Sequence, residues 1–185
     1  MTQIVALTPF APSPQTAGLT LEVALHRRGT GTAAWLELGY TLRGSGLDRL
    51  CWPDPVRTPE RRDGLWQSTC CEAFLAVEGE EAYREVNLAP AGHWNLYQLS
   101  GYRRDLRPDP RVATLAVAAQ RRPEALTLQV SLQLGALGLA AARLELGITA
   151  VLEHHDGGHS YWALTHPAAE PDFHHRGGFQ LRLDP

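Results

Sequence analysis

The chain has 185 residues, 44% of them hydrophobic and 20% charged, with a formal net charge of -3. That length fits one domain, 1–185, which buries about 70% of its unfolded surface, and the composition lies far from disordered or membrane-spanning chains. All 17 basic residues are arginine; no basic stripe accompanies them, which argues against nucleic-acid binding.

From the N-terminus, Met1 to Leu7 carries no basic segment and no long apolar stretch before Pro9. It does not read as a signal peptide, so a cytoplasmic protein is expected. Alternating or β-rich runs then recur at 19–26, 34–42, 68–77, 82–88, 94–99, 112–119, 125–134, 144–153, 160–166 and 179–183. Turn residues such as Gly29, Gly31, Gly44, Gly46, Gly157 and Gly158 separate them. Many short strands with frequent Gly and Pro punctuation predict an all-β fold, an antiparallel β-sandwich or barrel. Residues 135–142 favour helix through alanine and leucine but are weakened by two glycines, and read as a connection between strands. Two longer irregular segments, 51–64 and 101–110, are rich in proline and charge, and long loops of this kind often carry function. The paired arginines at 27/28, 61/62, 103/104 and 121/122 read as turn and edge solubilisers. Cys70 and Cys71 are sequence neighbours, and an odd total of three cysteines makes no disulfide framework. No apolar run approaches the roughly 20 residues of a membrane-spanning helix.

Carboxylates inside strand-like runs are the most informative feature. A strand sends alternate side chains to opposite faces, so Tyr83, Glu85 and Asn87 share one face while Val86 and Leu88 take the other. Glu72 alternates in the same way with Cys71 and Ala73. If the two runs pair, Glu72, Glu85 and Asn87 line one surface, edged by Trp66 and Trp94. Carboxylates, an amide and indoles suit a polar ligand rich in hydroxyl groups, because an indole packs on a sugar's C–H face while carboxylates take its hydroxyls.

Other chemistries have less support. His154, His155, His159, His166, His174 and His175 crowd the last third of the chain, but their spacing matches no ligand motif and no metal is expected. His166 and His174 border proline-containing turns, where a histidine fixes loop geometry or meets a ligand. Met1 is the only methionine and lysine is absent, which disfavours haem held by an axial Met, so no cofactor is expected. Glu72 and Glu85 would serve a hydrolase if suitably spaced. No nucleophile elbow, phosphate loop or dinucleotide fingerprint is present.

Taken in order, Trp66…Glu72-x-Phe74, Tyr83-x-Glu85-x-Asn87-x-x-Pro90-x-Gly92-x-Trp94, Gly101-Tyr102-Arg103, Ser160-Tyr161-Trp162-Ala163-Leu164 and Pro171-Asp172-Phe173-His174-His175 resemble the bacterial DOMON-like proteins, which are related to the family-nine carbohydrate-binding modules. The resemblance covers residues 60–185 best. It implies a β-sandwich of immunoglobulin-like or jelly-roll form with a sugar or haem site on one sheet. The acidic residue at Glu72 and the segment from Asn87 to Gly92 are its nearest matches to the family-nine modules, and Trp66 and Trp94 are its candidates for their paired sugar-clamping tryptophans.

Together these readings predict a binding domain for a small polar ligand, most simply a carbohydrate, with no membrane partner. Glu72, Glu85 and Asn87 would bond hydroxyls, Trp66, Trp94 and Trp162 would stack, Arg103 would orient an acidic partner or the site carboxylates, and His174 would meet the ligand. A small enzyme built on Glu72 and Glu85, or a partner-binding module without a small-molecule site, are the alternatives.

Overall fold

The structure is a computed structural model that describes residues 2–185. Met1, the one candidate for a methionine-ligated haem, lies outside the described residues. In chain order the strands are β1 (Thr2–Pro9), β2 (Leu19–Arg28), β3 (Trp35–Gly44), β4 (Cys70–Val77), β5 (Tyr83–Leu88), β6 (Trp94–Leu99), β7 (Arg107–Pro108), β8 (Val117–Arg122), β9 (Ala125–Gln133), β10 (Leu144–Glu153), β11 (His159–Ala163) and β12 (Leu181–Leu183). The chain is all-β, and helix among the described residues is limited to short 3-10 turns. Every ladder between these strands is antiparallel. They form one continuous sheet in the order β7-β6-β5-β4-β10-β11-β1-β2-β3-β9-β8, with β12 paired beside β10.

The sheet curls into a half-barrel, and β1 is where it turns. Thr2 to Leu7 pair with β2, whereas Thr8 and Pro9 pair with β11. Pro9 has no N–H to give a ladder and sits at the strand's end, where that loss is tolerated. The sequence pattern misses β1 because most of its side chains are exposed and no alternation marks it; pairing on both sides holds it instead.

In β2, β3 and β9 every second residue is buried, the pattern of a sheet with one face on the core and one in water. Their leucines meet Cys71, Ala73 and Leu75 of β4 and Ile148 of β10 in one core. Tyr40 Oη bridges that core and donates to the Glu72 carbonyl at 2.7 Å. By contrast, β4, β5 and β6 are buried on both faces almost throughout. Their outer face is covered by loops, and Phe74, Tyr83, Tyr97 and Leu99 form a second cluster there with Phe179 from the C-terminal segment.

Two expectations change. The run at 112–119 becomes β8 only from Val117, because Val112 and Leu115 pack on the core from a loop. Arg61 is no solubiliser: its guanidinium lies 4.5 Å from the Trp94 ring centre, donates to the Asn95 side chain at 3.3 Å and to the Asp109 carbonyl at 3.2 Å, and also reaches the Val112 carbonyl. It ties the 51–64 loop to the sheet.

Gly147 of β10 holds the C-terminal segment down by being small. A Cβ there would lie 2.8 Å from the Phe179 ring. Gly147→Val is expected to push Phe179 off the sheet and destabilise the fold by about 1–3 kcal/mol, the range for overpacking; urea unfolding measures this.

Candidate functional site

Strand parity and register build the site. Glu72 of β4 lies directly opposite Asn87 of β5 on one side and Thr149 of β10 on the other. Glu85 lies opposite Phe74 and Tyr97. Glu72, Glu85 and Asn87 therefore share the outer face, and all three are buried. Asn87 Nδ2 donates to Glu85 Oε1 at 2.8 Å, and Thr149 Oγ1 donates to Glu72 Oε2 at a long 3.4 Å.

Above this floor is a cavity of about 390 Å³, a size that suits a small ligand. Glu72 and Glu85 line its base together with Val151. Trp66, in the 3-10 turn Leu65–Gln67, forms one wall and packs edge-on against Tyr97, with ring centres 6.2 Å apart. Tyr161 and Phe173 form another, edge to face at 6.1 Å. Arg103, Leu106, Pro171 and His174 complete the lining.

The C-terminal segment is anchored through these groups. His174 Nδ1 and Tyr83 Oη share a hydrogen bond of 2.8 Å. Asp172 accepts from Arg103 at 2.9 Å and from Tyr102 Oη at 2.7 Å. Arg103 and Asp105 are the described non-glycine residues with positive φ, at 53° and 54°. Left-handed backbone at two such residues of one rim loop costs free energy that the Arg103–Asp172 pair helps to offset.

Burial, and then the charge of Glu85, raise the Glu72 carboxyl well above its ordinary range. Burial also raises Glu85, opposed by the bond from Asn87 and the charge of Arg103. The pair therefore retains a proton to higher pH than free carboxyls do. Burial and then the charge of Arg103 lower His174 to about 4, so it is neutral at pH 7. Its Nε2 lies 3.8 Å from Glu85 Oε2, too far for a hydrogen bond. Glu85 Oε2 and Asn87 Oδ1 are thus buried acceptors with no partner, and such atoms in a native structure call for an explanation.

Because its folded-state carboxyl is raised, Glu72 destabilises the protein when charged, and the penalty disappears as pH falls through that raised value toward 4.5. Glu72→Gln is expected to stabilise by about 1–3 kcal/mol at pH 8, with the gain shrinking toward zero near pH 4.5. His174 acts in the opposite sense: its stabilising contribution is full above 6.5 and is lost as pH falls toward 4. Comparing variant with wild type at each pH by urea unfolding cancels it.

The structure gathers Glu72, Glu85, Trp66, Arg103 and His174 around the cavity and places Asn87 just behind Glu85. It does not bring Trp94 or Trp162 there. Trp94 shares parity with Leu96 and points into the core. Trp162 is 2% exposed, sits in the same core and donates to Ser160 Oγ at 3.0 Å. One residue earlier, Tyr161 pairs with Val151 and faces outward. The parity that selects Glu85 would have selected Tyr161 over Trp162. Phe173 and Pro171 had no such signal, because they arrive on a loop. Arg103 meets Asp172 rather than the site carboxylates.

The C-terminal histidines disperse among separate partners: His154 with Ser160, His155 with Cys51, His159 with the Gln67 carbonyl and His166 with the Thr8 carbonyl. Among the described residues no group of three or more His, Cys, Asp or Glu side chains is placed to hold a metal ion. A second cavity, of about 440 Å³, lies beside Gln15, Arg49, His154 and Asp156. Cys51 borders it through His155, but burial and the charges of Glu153 and Asp156 push its thiol up, away from a reactive thiolate.

No protein-family model and no curated protein matches the sequence. Among solved structures, the crystal structure of a putative carbohydrate-binding protein from Bacteroides uniformis ATCC 8492 matches with a TM-score of 0.62, over 95% of this chain and 83% of that one, at 12% identity. At that identity the likeness concerns the fold.

Proposed function

We propose that this chain is a non-enzymatic binding domain whose cavity takes a small carbohydrate. The observation that carries the reading is the free Glu85 Oε2 at the base of an aromatic-walled cavity. A sugar hydroxyl would supply the missing donor there, while Trp66 and Tyr161, 40% and 36% exposed, offer faces for the ring's C–H groups. The fold likeness to a putative carbohydrate-binding protein supports the same ligand class. Within this reading, the curled sheet is a two-layered DOMON-like jelly roll related to the family-nine modules, and the chain is one such domain.

A glycan array followed by calorimetry on each hit tests the proposal. Trp66→Ala is expected to weaken a hit about 2–10-fold, the worth of one stacking contact. Absence of any hit would favour the partner-binding alternative. One observation favours a catalytic reading instead: two carboxyls, both raised by burial, share the base of the cavity, as a general acid and its partner would. Product formation from a hit, abolished by Glu72→Gln, would establish it.

A further inference from the structure

The electrostatics of the cavity narrow the ligand class beyond a neutral sugar. We propose that the cavity recognises an ammonium group, carried by an amino sugar, whose nitrogen docks against the free Glu85 Oε2 beside Glu72; this rests on the carbohydrate reading for the rest of the ligand.

Glu85 is buried, its Oε2 has no partner, and the His174 imidazole lies 3.8 Å from it. Among the described residues lining the cavity the one arginine, Arg103, favours a charged Glu85 from a distance but gives its bond to Asp172, at 2.9 Å. Tyr83, Tyr97 and Cys70 also face the carboxylate pair and stay neutral, each raised mainly by burial, as does the lowered His174. The base of the cavity therefore holds a carboxyl oxygen, Glu85 Oε2, with no donor and no cation bonded to it. A buried carboxylate without a counter-charge is costly, and a ligand cation removes that cost where a hydroxyl only reduces it. Tyr161, Phe173 and Trp66 add ring faces that attract a cation, and an ammonium's N–H groups form the charge-assisted bond that Oε2 lacks.

A second consequence follows from Glu72. A cation beside the pair favours the charged form of both carboxyls, so binding an ammonium should expel the retained proton into solvent. A neutral sugar should not.

The test titrates the full chain with D-glucosamine, D-glucose, N-acetyl-D-glucosamine and ethanolamine at pH 7, each in two buffers of different ionisation enthalpy. Glucosamine is expected to bind about tenfold or more tightly than glucose or its N-acetylated form, with a buffer-dependent heat reporting proton release. Equal affinity for the three sugars would overturn the ammonium inference and leave the carbohydrate reading standing. Binding of ethanolamine without any sugar would uphold the ammonium site and overturn the carbohydrate reading. No binding by any of the four would overturn both. In Glu85→Gln, which keeps an oxygen for the Asn87 bond, the preference for glucosamine over glucose should vanish; a preference that persists in a folded variant would overturn the assignment to Glu85. The proton release is read on the wild-type protein, so the inference is testable even if that variant fails to fold.

Discussion

Glu85→Gln is expected to lower affinity for the sugar that binds best by about 10–100-fold, because one charge-assisted hydrogen bond of about 1.5–3 kcal/mol is exchanged for a weaker neutral contact. The same substitution should raise thermal stability, since it removes a buried charge whose second oxygen has no partner. Calorimetry and thermal unfolding on one preparation read both. Opposed changes mark a residue kept for binding at the expense of the fold. A parallel loss of affinity and stability would instead make Glu85 a structural group.

Asp109→Ala should have the largest effect on stability. Asp109 is fully buried, where Arg84 Nε donates to it at 3.2 Å and Arg111 Nε at 2.8 Å. Both arginines also bond the Leu137 carbonyl, at 3.0 and 2.9 Å, so the cluster ties three segments together. Burial alone would raise the Asp109 carboxyl, but its bonds from Arg111 and Arg84 hold it below the ordinary value of 3.8. Removing the acid leaves Arg84, whose side chain is only 16% exposed, without its counter-charge. The expected cost is about 3–5 kcal/mol by urea unfolding. A folded-state carboxyl held low stabilises above pH 3.8 and loses that contribution as pH falls through its lowered value. The gap between wild type and variant should therefore narrow only in strong acid.

How legible these features are depends on which physics wrote them. Period-two alternation marks β2, β3 and β9 because water covers one of their faces. The same rule identifies Glu72, Glu85 and Asn87 as neighbours on one face of β4 and β5. It fails for β1, whose exposed side chains carry no pattern, and for β8, where apolar Val112 and Leu115 reach the core from a loop. Two of the tryptophans expected at the site are a different case. Trp94 and Trp162 suit a sugar clamp by residue type, but parity sends both inward, and a tyrosine takes the outward position. Three of the ten residues lining the cavity, Pro171, Phe173 and His174, come from one loop, whose docking depends on Phe179 meeting the small Gly147 and on Asp172 meeting Arg103. Contacts between loops have no period, so nothing in the local sequence announces them.

A crystal structure of the chain soaked with the tightest-binding amino sugar shows directly whether Glu85 holds the ligand. Electron density is expected in the cavity between Trp66 and Tyr161, with a ligand nitrogen or hydroxyl within hydrogen-bonding distance of Glu85 Oε2. Density confined to another surface, such as the cavity beside Gln15 and His154, with Glu85 Oε2 still unpartnered, would contradict it.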